Sequence, residues 1–163
     1  MRDRFRNDSG YILIESIIAI TIVVVGLLGI FSLLSRSLSL NRVVSDRFVA
    51  AYIAAEGIEI VKNMIDNNIL AGKPWNAGLA TGTYEADDSD MALRADGHTL
   101  LRFDSGPGAY GYSEPVLTAI RRAITIDVSP DGQEIAVGSR ASWTTRGGGK
   151  FDIYLEEHLF NWR

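Results

Sequence analysis

Hydrophobic and polar positions divide the chain into three textures. From Ser16 to Ser35 the residues read SIIAITIVVVGLLGIFSLLS, with no charge between Glu15 and Arg36. As a helix rising about 1.5 Å per residue, that run is about 30 Å long, which matches the hydrocarbon core of a bilayer. Beyond Arg36 the pattern becomes two-sided. Val44, Phe48, Ala51, Tyr52, Ala55, Ile58 and Ile65 recur at steps of three and four, while Arg42, Asp46, Arg47, Glu56, Glu59, Lys62 and Asp66 fall mostly opposite them. Arg42 with Asp46 and Lys62 with Asp66 are spaced for i,i+4 ion pairs. No proline interrupts residues 11–68, so the spacing predicts one long helix that ends near Asn67, Asn68 and Gly72. Its first half is apolar all round, and its second half carries an apolar stripe that needs a covering surface.

The third texture has the period of two expected of strands. Residues 72–96 read as a loop, with one short strand around Gly82 to Ala86 and an acidic cluster at Glu85, Asp87, Asp88 and Asp90. Short strands are expected at Thr99 to Phe103 and Tyr110 to Ser113, around the turn Ser105-Gly106-Pro107-Gly108. Longer ones follow at Thr118 to Val128, Glu134 to Trp143 and Phe151 to Leu159. They are separated by the turns Ser129-Pro130-Asp131-Gly132 and Thr145-Arg146-Gly147-Gly148-Gly149. The expected fold class is therefore α+β: a long N-terminal helix packed by its amphipathic half on a C-terminal antiparallel sheet. The sheet would be built on a three-stranded meander whose apolar face the helix covers.

Composition narrows the function classes. The chain has 163 residues, room for one domain and an anchoring element. A net charge of −4 and the lack of a basic patch argue against nucleic acid as a partner. There is no cysteine, hence no disulfide framework and no thiolate metal site. His98 and His158 stand alone and are read as surface or strand residues, and Trp143 and Trp162 as core or sheet-face aromatics. The acidic cluster lacks the spacing of a Ca²⁺-binding EF-hand and reads as a solvated loop, with Ca²⁺ binding left open. No nucleophile elbow, metal-ligand cluster or phosphate-cradling loop occurs in residues 72–163, so neither an enzyme nor a cofactor is expected.

One charge in the apolar region asks for a reason. Glu15 stands at the head of the bilayer-length run, where a carboxylate is costly. A secretory signal peptide is a poor fit, because its apolar region is usually about 7–15 residues. A plain signal anchor fits the length but leaves Glu15 as a tolerated edge charge.

The stretch Ser9-Gly10-Tyr11-Ile12-Leu13-Ile14-Glu15-Ser16, preceded by a leader with Arg2, Arg4 and Arg6, resembles the type IV pilin and type II secretion pseudopilin superfamily. The family hallmark is a short basic leader, Gly, an aromatic residue or Met, three mostly apolar residues, Glu and a long hydrophobic helix. Tyr11 replaces the usual Phe and Ile12 the usual Thr. Weaker likeness to minor pilins and I-type pseudopilins continues at Gly26 to Gly29, at Ala54 to Glu59, in the strand region and at the closing Leu159 to Arg163.

The resemblance implies a pilin-like fold with residues 1–10 as a cleaved leader and 11–35 as a transmembrane and filament-core helix. Residues 36–71 then form the amphipathic helix, and 72–163 the loop region and sheet head. It implies cleavage between Gly10 and Tyr11 by a prepilin peptidase, N-methylation of Tyr11, and an assembly role for Glu15 opposite the α-amino group of a neighbouring subunit. The implied partners are that peptidase, other pilin or pseudopilin subunits, an assembly-platform membrane protein and, before assembly, membrane lipid. The implied location is a single-pass cytoplasmic membrane protein with its C-terminal domain outside the cytoplasm, then a cell-surface or periplasmic filament. Gly26 and Gly29 are places where such a helix loosens or, equally, packs closely on a neighbour. A signal-anchored adhesin or enzyme that does not polymerise is the alternative.

Overall fold

A computed structural model describes residues 9–87, 92–145 and 148–162. The architecture is α+β, as expected: one helix, α1 (Ser9–Leu70), packs against an antiparallel sheet. The chain divides into two compact units, Met1–Ser45 and Asp46–Arg163.

Within the first unit α1 runs unbroken through Gly26 and Gly29, where loosening was one of two expectations. A Cβ at either glycine would meet nothing, so both present open ground on the helix surface. The two hydroxyl side chains of the early apolar run fold back onto their own helix. Ser16 Oγ donates to Ile12 O at 2.8 Å and Thr21 Oγ1 to Ile17 O at 2.7 Å, which removes unpaired donors from an apolar surface.

In the second unit α1 ends at a Schellman cap. Gly72, with φ of 68°, donates to Ile69 O at 3.1 Å, and Lys73 donates to Asn68 O at 2.9 Å. The strands that follow are β1 (Gly82–Glu85), β2 (Arg94–Ala95), β3 (Arg102–Asp104), β4 (Ala109–Gly111), β5 (Val116–Leu117), β6 (Ile120–Val128), β7 (Glu134–Thr144) and β8 (Lys150–Phe160). The meander β6-β7-β8 is present at the expected places. Its registers run from Ile120↔Trp143 to Val128↔Ile135 and from Glu134↔Phe160 to Thr144↔Lys150. The sheet is larger than three strands, however, because β1 pairs with β6 and β2 with β1, giving the order β2-β1-β6-β7-β8. A second, three-stranded sheet has the order β4-β3-β5.

The expected strand from Thr118 is interrupted before Ile120. Thr118 Oγ1 donates to Leu101 O at 2.6 Å and accepts from Ile120 N at 3.1 Å, which pins a crossing between the two sheets. The short strands expected at Thr99 and Tyr110 are shifted to Arg102–Asp104 and Ala109–Gly111, and Phe103 lies against Tyr110 with ring centroids 4.8 Å apart.

The core joins α1 to the inner sheet face. Ile58, Ile60, Val61 and Ile65 pack with Ile124, Ile126, Ile135 and Val137, and Ala50, Ile53 and Ala54 pack with Leu101, Ala141 and Trp143. Trp143 is thus a core residue, stacked on Phe151 at 5.8 Å, whereas Trp162 is 79% exposed and joins no core. The apolar stripe is also rotated from the expected one. Ile58 and Ile65 are buried, but Val44, Phe48, Tyr52 and Ala55 are exposed, and the small residues Ala50, Ala54 and Gly57 face inward instead. Close approach explains this. A Cβ on Gly57 would overlap the Ser139 hydroxyl and lie 3.0 Å from Arg122 Cδ and 3.1 Å from Ser139 Cβ, so a larger residue on that face would push the helix off the sheet. Lys62 likewise turns from Asp66 to the sheet, with Nζ 2.7 Å from Glu157.

Gly57→Ala should therefore lower the unfolding midpoint of the full chain in detergent, with an overpacking cost of about 1–3 kcal/mol. Gly26→Ala, whose added methyl meets nothing, should not lower it. Equal midpoints for Gly57→Ala and wild type would refute the close approach.

Candidate functional site

The residues singled out by the sequence lie at the start of α1. Gly10 and Tyr11 are in its first turns, with Tyr11 74% exposed, while residues 1–8 of the expected leader lie outside the described residues. Glu15 follows Tyr11 by four residues, which places it one turn along the same helix face, about 6 Å up the axis. It is exposed, and among the described residues it has no hydrogen-bond or ion-pair partner. Around it Ile12, Leu13, Ile14, Ile17 and Ile18 are each more than half exposed. The helix is long and apolar enough to cross a membrane, and its most apolar window is 0% buried.

A second polar constellation, not anticipated from the sequence, sits between helix and sheet. Arg122 is fully buried. Its Nη1 lies 3.1 Å from Glu56 Oε2 and 3.5 Å from Ile53 O, and its Nη2 donates to Ala86 O. Arg122 Nε and the Ser139 hydroxyl are buried without a hydrogen-bond partner. Beside them, burial pushes the Tyr112 hydroxyl up to about 12, against the lowering effect of Arg122, and Arg94 stacks over the Tyr112 ring at 4.7 Å. The signal for this cluster was present in the chain. Arg122 is in phase with Ile120, Ile124 and Ile126, so a period of two sends it inward.

At Glu85 and Asp87 the acidic cluster is not the solvated loop expected. Glu85 and Asp87 are buried, Glu85 accepting from Thr99 N at 2.6 Å and Asp87 from Tyr112 N at 3.4 Å, while Asp88 and Asp90 lie outside the described residues. No group of three or more His, Cys, Asp or Glu among the described residues is placed to hold a metal ion. Asp96 completes this edge. Burial pushes its carboxyl up, but hydrogen bonds from Arg121 and His98 N, with Glu85 beside it, outweigh that and hold it below its ordinary value. His98 and His158 are both exposed, as expected. His158 is held above its ordinary value by hydrogen bonds to Glu134 and Glu156.

No protein-family model, curated protein or solved structure matches the chain. The chemistry must therefore be read from its own residues. Arg122 is paired within the chain through both terminal nitrogens and ties the helix to the sheet, while its Nε stays unpaired. The N-terminal site is the reverse: a carboxylate without a partner among the described residues, on an exposed apolar helix.

The lowered Asp96 has a stability consequence. Its contribution is fully present above its unfolded value of 3.8 and is lost as pH falls through the lower folded value. Asp96→Asn should flatten the acid limb of stability against pH below about pH 4 while lowering stability at neutral pH. Identical acid limbs for the two chains in a denaturant series would contradict the pairing.

Proposed function

We propose that this chain is a prepilin-like filament subunit, cut between Gly10 and Tyr11 and assembled through its apolar helix into a type IV pilus or a secretion- or competence-type pseudopilus. The observation that carries the reading is Glu15. It is the only charge from residue 11 to residue 35, and it has no partner among the described residues.

An apolar helix of this length is at rest in lipid, where van der Waals contact with acyl chains covers Leu, Ile and Val. A carboxylate there costs about 2.5–3.5 kcal/mol when central and less near an interface. Cleavage after Gly10 creates a positive α-amino group on Tyr11, equally costly in a dry environment. Two such groups on neighbouring subunits, brought together, offset each other's desolvation and fix the axial register of the helices. Glycine before the scissile bond leaves a peptidase free to approach the backbone, and the exposed Gly10 and Tyr11 are open to it. N-methylation of Tyr11 retains the charge. An assembly-platform protein and the membrane are the further partners, and the sheet head would lie outside the cytoplasm. A signal-anchored protein that does not polymerise is the competing reading, and it leaves Glu15 without a role.

Two measurements separate them. Intact mass spectrometry from cells that contain a prepilin peptidase should show loss of residues 1–10 plus one methyl group. Gly10→Arg should stay unprocessed, and a mature chain that keeps Met1 or begins after Ser35 would sink the assignment.

Glu15→Leu should be cut and inserted as wild type, since it removes a polar group from an apolar run. Its recovery in sheared filaments should nevertheless fall at least about ten-fold, because a buried amine loses its counter-charge. Equal recovery of the two forms would leave the anchored protein as the better reading.

A further inference from the structure

The large sheet ends differently on its two sides. At one edge β2 has two residues, whereas β8 at the other has eleven, with no proline and an unbroken register against β7. Among the described residues no strand lies beyond β8. Hydrogen-bond phase fixes which groups this edge presents. Thr145 N donates to Gly149 O at 2.9 Å at the turn, and Asn161 N donates to Gln133 O at 2.9 Å at the far end, both in register with the ladder between them. Bonded pairs alternate along an antiparallel ladder, so Phe151, Ile153, Leu155, Glu157 and Leu159 turn their backbone groups to β7. The N–H and C=O groups of Lys150, Asp152, Tyr154, Glu156, His158 and Phe160 therefore point away from the sheet.

Side chains follow the same alternation. The set bonded to β7 faces α1: Leu155 and Leu159 pack on the Ile124 cluster, and Glu157 Oε1 lies 2.7 Å from Lys62 Nζ. Between α1 and this edge is a cavity of about 670 Å³, lined on the helix by Lys62, Asp66 and Ile69, at i, i+4 and i+7, and elsewhere by Trp75, Leu159 and Trp162. Charged side chains can blunt a sheet edge, but here they are engaged within the chain. Asp152 pairs with Arg140, and His158 lies between Glu134 and Glu156. Carboxylates prevail around the cavity, where Asp66, Glu134, Glu156 and Glu157 outnumber Lys62 and His158.

We propose that the β8 edge takes up an extended segment of another protein, one whose apolar side chains alternate with Lys or Arg, as the next strand of the sheet. Its backbone completes the outward row of N–H and C=O groups. Its apolar side chains enter the cavity beside Leu159, and its cations meet Glu156 on the outer face. Backbone pairing supplies affinity, while the cavity and the carboxylates select the sequence. The seat lies wholly within the second unit and does not depend on the filament reading.

The probe is a labelled peptide of about nine residues, valine alternating with lysine, titrated against the full-length chain in uncharged detergent. It should bind saturably. The same residues arranged in blocks, and a valine–glutamate counterpart, should each bind at least about ten-fold more weakly. Backbone methylation separates strand addition from charge attraction. An antiparallel partner strand turns the backbone of its outer-face residues toward β8, so N-methyl groups on the lysines should abolish binding, and N-methyl groups on the valines should leave it within about two-fold. The reverse preference marks a parallel strand. Binding that both sets abolish, or that neither does, overturns strand addition.

On the protein side, Glu156 N–H points away from β7, so Glu156→Pro removes an edge donor and no ladder bond. It should weaken the peptide at least about ten-fold more than Glu156→Gln, with an unfolding midpoint that shows the head intact. Equal binding by these two variants, or by the blocked and alternating peptides, overturns the proposal. A wild-type chain that dimerises in detergent, becomes monomeric with Glu156→Pro and ignores the peptide has a second copy at this edge, which overturns the basic segment as its occupant.

Discussion

Helix α1 can lie on the sheet only because Gly57 has no side chain. At that point the helix backbone meets Ser139 of the central strand β7 and the stem of Arg122 on β6. Ala50 and Ala54 extend the same narrow face one and two turns below. With the helix that close, Arg122 cannot reach water and must be satisfied where it is, by Glu56 from the helix and by the Ile53 and Ala86 carbonyls. A buried ion pair of this kind adds little net stability, since desolvation consumes most of the Coulomb energy. It does penalise every other register of helix on sheet, because a slip of one turn would strand a buried guanidinium. The apolar clusters on either side, around Ile124 and around Trp143, are non-directional and could not choose the register themselves.

The opposite condition holds at the start of the helix. Ser16 and Thr21 spend their hydroxyls on their own backbone, and Glu15 is the only charge on the apolar segment. One chain thus contains a carboxylate paired with a buried guanidinium, Glu56, and another with no partner among the described residues, Glu15. Physical chemistry tolerates the second only if water, lipid headgroups or another molecule completes it. That contrast separates a candidate site at the start of the helix from the Arg122 layer, which is a piece of scaffold.

Legibility in the sequence followed the length of each pattern. Strands β6, β7 and β8 have nine to eleven residues each and alternate strictly enough to be placed almost to the residue. Strand β2 has two residues, too few to carry any period, and its membership of the sheet is decided by the chain on either side. The helix was legible in extent and misjudged in rotation. Large apolar residues at Phe48 and Tyr52 look like a core face, but size does not say which face a sheet can approach closely. The pair Arg121-Arg122 was legible in principle, since consecutive strand residues point to opposite faces and one face of this sheet is covered by the helix. Arg121 reaches Asp96 and Arg122 goes inward. Gly10, Tyr11 and Glu15 were found as a pattern of residue types, for which packing within one chain is not needed.

The rotation of the helix has a meaning beyond the fold. A helix that served only its own sheet would turn its largest apolar residues inward and its small or charged ones outward. Here the inward face is built from Ala50, Ala54 and Gly57 with isoleucines beside them, and the outward face keeps Phe48 and Tyr52. Exposed aromatics at i and i+4 are a poor choice for solubility and a good one for contact, since rigid rings bury much area with few rotors to freeze. The small-residue face allows the sheet to sit close, and that closeness leaves the aromatic face free. The helix is therefore two-sided in a second sense: one apolar stripe is committed to the head of its own chain, and the other stays exposed.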